Sequence, residues 1–139
     1  MVKRALLCLV AIVVVWMTVD LVFHNLFLAP LYTENPALWR PVHEMSMALT
    51  MAVRVALAVL FVAVYALQVR PKSMSAGLLF GLLMGLLLGV AIGPGTYVHS
   101  PIAPGLMWGW FIGAVVKAIL AGVLLGWLVR EKSACLTPV

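Results

Sequence analysis

The chain has 139 residues, of which 65% are apolar and only 9% charged, with a mean hydropathy of +1.19. Soluble domains carry nearer ~25% charge and ~45–50% apolar residues, so this composition excludes a water-soluble enzyme, a disordered chain, collagen and a disulfide scaffold. It predicts an all-α integral membrane four-helix bundle, a single membrane domain over residues 1–139 with almost no soluble mass. The net charge of +5 does not indicate nucleic acid, because no basic stripe with interleaved aromatics exists. Six of the nine Lys and Arg residues instead form three clusters at the ends of apolar runs: Lys3 and Arg4, Arg70 and Lys72, Arg130 and Lys132.

About 20 apolar residues are needed to cross a bilayer, and four runs qualify, over residues 5–28, 46–68, 74–93 and 105–129. The first starts like a signal peptide at Lys3-Arg4, but it exceeds the ~7–15 residues of a signal h-region and has no small-x-small cleavage site, so it reads as a span. The basic clusters fall before span 1, between spans 2 and 3, and after span 4. The positive-inside bias then puts both termini in the cytoplasm, and only Arg40 opposes it. Cys8 and Cys135 lie towards that reducing side, so no disulfide is expected. A multi-pass protein of a bacterial inner membrane is the expected setting, with the lipid bilayer as its constant partner.

The outer loop 29–45 contains Pro30, Pro36 and Pro41, which break any long helix, with Tyr32 and Trp39 suited to the headgroup level. It predicts a compact cap. The turn 69–73 is short enough to make spans 2 and 3 an antiparallel hairpin, and residues 94–104 read as a second outer loop. Trp108, Trp110 and Trp127 mark the two interfaces of span 4.

Gly77, Gly81, Gly85, Gly89 and Gly93 recur every fourth residue, and span 4 adds Gly109 and Gly113 in line with Lys117 and Ala121. Small residues at this spacing let helix backbones approach closely in lipid. They predict a helix-packing surface, and through it a homo-oligomer or attachment to a larger membrane complex. A face where a ligand tail meets backbone is the functional alternative.

Asp20, Arg54 and Lys117 each fall inside a span. At ~1.5 Å per residue, all three come to nearly one depth, Asp20 and Arg54 ~5 Å outward of mid-span and Lys117 near the centre. Each such group costs about 2.5–3.5 kcal/mol at a helix centre, and an Asp20–Arg54 ion pair would offset much of that. A structural clamp between spans 1 and 2 is the plain reading. A shared ligand-binding site of Asp20, His24, Arg54 and Lys117 is the functional one, with His24 one helical turn beyond Asp20 on the same face. Counted as ionised, Asp20, Arg54 and Lys117 leave an excess of +1 that a bound anion would balance. The planar guanidinium of Arg54 is the favoured partner for such an anion.

His24, His43 and His99 all fall on the outer half with Met45, Met47, Met51 and Met107, a set that suits copper or, with carboxylate, zinc. No HxxxH or CxxC spacing tightens that reading. No GxSxG, HExxH, P-loop or Rossmann fingerprint occurs, and Ser46, Ser73, Ser75 and Ser100 have no base beside them in sequence, so neither catalysis nor a cofactor is expected.

Taken together, Asp20 and His24, Leu38-Trp39-Arg40-Pro41, Glu44-Met45, Thr96-Tyr97, Pro101-Ile102, Trp110 and Gly113 resemble a group of small bacterial four-span membrane proteins of uncharacterised function. The likeness runs from about Val19 to Gly126. It implies an inner-membrane helical bundle and no activity, and Lys117 departs from the acidic or neutral residue it implies there. Three functions remain open at this point: binding or transport of a small, possibly anionic solute at a polar site in the outer half of the bilayer, a non-catalytic accessory subunit of a larger complex, and metal handling at the outer histidines.

Overall fold

The computed structural model describes residues 2–34 and 36–129. Arg130, Lys132 and Cys135 lie outside the described residues. Helix α1 (Val2–Val22) runs into a π-helical turn (Phe23–Phe27), then the short α2 (Ala29–Tyr32) and two 3-10 turns (Pro36–Leu38 and Val42–Glu44). Helices α3 (Met47–Gln68), α4 (Met74–Ile92), α5 (Pro94–His99) and α6 (Pro104–Leu128) follow. Among the described residues there is no strand. Four stretches are long and apolar enough to cross a membrane: Leu6–Phe27, Met47–Gln68, Met74–His99 and Pro104–Leu128. The protein is therefore an all-α, multi-pass membrane protein.

Local chemistry sets the helix ends. Ser46 and Ser73 precede α3 and α4, and their hydroxyls accept hydrogen bonds from the backbone N–H groups of Leu49 (3.2 Å) and Ala76 (3.1 Å). Both serines are N-caps, satisfying backbone donors that a helix start leaves unpaired. The expected second outer loop is shorter than the sequence suggests. Proline is tolerated in the first turn of a helix because the missing N–H has no partner there anyway. Pro94 therefore opens α5 directly after Gly93, and only residues 100–103 link α5 to α6.

Helix α6 is the centre of the assembly, with α4 on one side and α1 on another, and α3 lies outside α1. The α4–α6 contact is made by the glycine row. A Cβ added at Gly81 would lie 2.5 Å from the carbonyl oxygen of Ala118, and one at Gly85 2.9 Å from the Cα of Val115. Gly77 is pressed equally closely against Gly122 and Gly126. Gly93 meets Met107, and Gly89 meets Phe111. The matching row on α6 is thus Ala118, Gly122 and Gly126. Gly109 and Gly113 pack elsewhere, against Leu28 and Phe23.

A second core joins α1, α3 and α6 through side chains at helical spacing. Cys8, Ile12 and Trp16 of α1 meet Ala58, Phe61 and Tyr65 of α3 and Ala118, Ala121 and Leu125 of α6. The short 69–73 connection does not bring α3 and α4 together as closely as a tight hairpin would. The two helices meet through rings, with Phe80 of α4 at 4.9 Å from Phe61 and 5.3 Å from Tyr65 between centroids.

Candidate functional site

Asp20, Arg54 and Lys117 come from three helices and converge on one carboxylate. Oδ2 of Asp20 lies 3.0 Å from Nη2 of Arg54, and Oδ1 accepts a 2.6 Å hydrogen bond from Nζ of Lys117. The side chains of Asp20, Arg54 and Lys117 are 19%, 24% and 27% exposed, respectively. Trp16, one turn before Asp20, holds the three helices in register. Its Nε1 donates to the backbone oxygen of Lys117 at 3.0 Å, and its ring meets Phe61 edge-on at 5.7 Å.

His24 reaches the same region from the π turn, where an extra residue per turn re-aims the side chains that follow Asp20. Its Nδ1 lies 2.6 Å from the hydroxyl of Tyr32, and Nε1 of Trp110 donates to that hydroxyl at 2.8 Å. An indole N–H only donates, so the Tyr32 hydroxyl accepts from Trp110 and shares a second hydrogen bond with Nδ1 of His24. Nε1 of Trp39 donates to the backbone oxygen of Tyr32 at 3.1 Å. The rings of Trp39 and Trp110 stand 6.0 Å apart, and that of Tyr32 lies 5.1 Å from Trp39. The cap residue Tyr32 is therefore the hub of an aromatic cluster that ties loop 29–45 to α6. Burial pushes the Tyr32 hydroxyl above the usual tyrosine range, against a smaller downward pull from its Trp110 hydrogen bond.

Beside the triad lies a cleft of about 200 Å³. The end of α1 and the π turn form one wall with Asp20, Phe23 and His24, and Ile92 of α4 stands opposite. Helix α6 supplies the floor through Trp110, Gly113, Ala114 and Lys117, whose i, i+3, i+4, i+7 spacing places them on one face. Gly113 keeps this floor low. A Cβ there would meet Phe23 only at an ordinary 3.5 Å, so the space above it belongs to the cleft. Asp20, His24 and Lys117 all line the cleft, whereas Arg54 does not. It reaches Asp20 from the α3 side.

Of the four residues expected to form a ligand site, Asp20, His24 and Lys117 share the cleft, and Arg54 touches it only through Asp20. The histidine metal set is not assembled. His24 is engaged with Tyr32, His43 lies 3.8 Å from the adjacent Glu44 with a side chain 80% exposed, and His99 ends α5. Among the described residues no group of three or more His, Cys, Asp or Glu is placed to hold a metal ion. Residue type and position alone mark Tyr32 and Trp110 only as interface aromatics, and give Trp16 no role. The spacing of Trp16 from Asp20 (i, i+4) and of Trp110 from Lys117 (i, i+7) was the available sign that both indoles share the faces of the charged residues. Comparison with protein-family models, with curated proteins and with solved structures gave no match.

Proposed function

We propose that the chain is a non-catalytic inner-membrane protein, with both termini cytoplasmic, that binds a small anionic solute from the outer half of the bilayer. The supporting observation is the state of Lys117. Lys117 lines the cleft, and its ammonium uses one of three donors on Asp20, whose other oxygen is occupied by Arg54. Counted as ionised, the triad keeps an excess charge of +1 in a region where water is scarce, and an anion in the cleft supplies both the countercharge and the missing acceptors. The glycine row that suggested a homo-oligomer or a larger complex is occupied within the chain, so assembly would use other faces.

The test is thermal unfolding of the purified protein in mild detergent, at matched ionic strength, with chloride, acetate and phosphate. A ligand that binds only the folded state stabilises it by about 2.7 kcal/mol at a hundredfold excess over its Kd. A saturable upward shift with at least one anion, absent in Lys117→Met, is the expected result. Equal shifts in both proteins, or none beyond the ionic-strength control, would refute the proposal.

A further inference from the structure

Resting on the anion reading of the cleft, we infer that its ligand is a short-chain organic monocarboxylate rather than an inorganic anion or a phospholipid. The cleft has one charged end and an apolar body. Lys117 and Asp20 stand together, while Phe23, Leu28, Ile92 and Ala114 provide the remaining walls, with open space above Gly113. A hydrated inorganic anion would leave this apolar surface uncovered. A monocarboxylate sets two acceptor oxygens against the free donors of the Lys117 ammonium and lays its alkyl part along Gly113 and Phe23. The charge count agrees. One negative charge neutralises the +1 of the triad, whereas a dianion would leave the site with an excess of −1.

Size limits the class further. At ~30 Å³ for each water-sized group, a volume of about 200 Å³ holds about seven non-hydrogen groups. A carboxylate accounts for three, leaving room for about four more carbons. Acids of about five carbons fill the space. Two acyl chains do not fit, and a phosphodiester headgroup belongs at the membrane surface, whereas Lys117 sits near the middle of its span.

The experiment is isothermal titration of the full chain in mild detergent with the sodium salts of acetate, propionate, butyrate, pentanoate and octanoate, and with chloride and phosphate. Wild type, Lys117→Met and Gly113→Leu are compared, and Lys117→Met is the reference for uptake by the micelle. Affinity should rise about two- to fourfold per added methylene as far as pentanoate and then level off. Lys117→Met should weaken pentanoate binding at least tenfold. Gly113→Leu, which fills the cleft while keeping Asp20, Arg54 and Lys117 in the chain, should flatten the chain-length series. Chloride or phosphate binding as tightly as pentanoate, or a carboxylate series with no chain-length dependence, would overturn the monocarboxylate assignment and leave the anion site standing. Binding of no anion, or binding that Lys117→Met leaves unchanged, would overturn both.

Discussion

At Asp20 a single carboxylate serves two cations, one on each oxygen, so the three charges cannot be removed interchangeably. Lys117→Met leaves an intact Asp20–Arg54 pair and a neutral triad, and the fold should lose less than about 1 kcal/mol. Asp20→Asn leaves Arg54 and Lys117 facing each other without a countercharge. Removing one partner from a buried pair costs about 3–5 kcal/mol, so this variant should unfold at markedly lower temperature or fail to accumulate. Arg54 looked the better anion partner because its guanidinium is planar, but the cleft is lined by Lys117. Arg54→Gln should therefore weaken anion binding less than Lys117→Met, and comparing the two affinities checks the assignment. Tyr32 is the second residue whose loss should be felt. Tyr32→Phe removes the acceptor of Trp110 and the partner of His24, a loss of about 1–3 kcal/mol. The raised pKa of Tyr32 adds a pH signature. Its neutral form is favoured by folding, so the contribution is complete below the unfolded value of ~10 and is lost as pH rises through the folded value. The stability gap between wild type and Tyr32→Phe should accordingly narrow above about pH 10 in denaturation curves.

At the scale of elements, the α4–α6 seam is the tightest contact because glycines of α4 face Gly122, Gly126 and the small Ala118 of α6. With the carbonyl of Ala118 so close to Gly81, and the Cα of Val115 to Gly85, neither site accepts a side chain without moving backbone. Overpacking of this kind costs about 1–3 kcal/mol or more. Gly81→Leu and Gly85→Leu should each lower the thermal midpoint without changing the oligomeric mass, since the contact lies within one chain. A change in mass with an unchanged midpoint, read by light scattering, would mean that the row serves an interface between chains. The hold on α3 is different in kind. It packs on α1 through Ala58, Phe61 and Tyr65 and contributes Arg54 to the charged site. Much of its remaining surface, including Leu49, Leu60 and Leu67, is exposed and suited to lipid.

At the scale of the whole molecule, the four spanning stretches and the charges at their ends set the arrangement in the bilayer. The orientation proposed from the positive-inside bias puts Lys3, Arg4, Arg70 and Lys72 on the cytoplasmic side and the cap on the outer side. A reporter active only in the cytoplasm should work when fused at either end of the chain, and a periplasmic reporter active at Val139 would reverse the orientation. In either orientation the triad stays near mid-membrane, because Asp20, Arg54 and Lys117 all lie within spanning helices.

Composition and apolar run length were enough to determine the four spans, because lipid admits only segments that satisfy their own backbone hydrogen bonds. Counting residues along each span was also enough to bring Asp20, Arg54 and Lys117 to a common depth, since the rise per residue of a helix is constant. Which helix faces which is another matter. The sequence shows two small-residue rows on span 4, and only packing decided that Ala118, Gly122 and Gly126 meet α4 while Gly109 and Gly113 turn towards Leu28 and Phe23. The role of Tyr32 was equally hidden, because its partners His24 and Trp110 lie on other elements and a loop with three prolines has no periodicity to reveal its direction. Depth comes from local geometry, which a sequence carries along its length. The cleft depends on the rotation of each helix about its own axis, and that is settled by side chains meeting across the bundle.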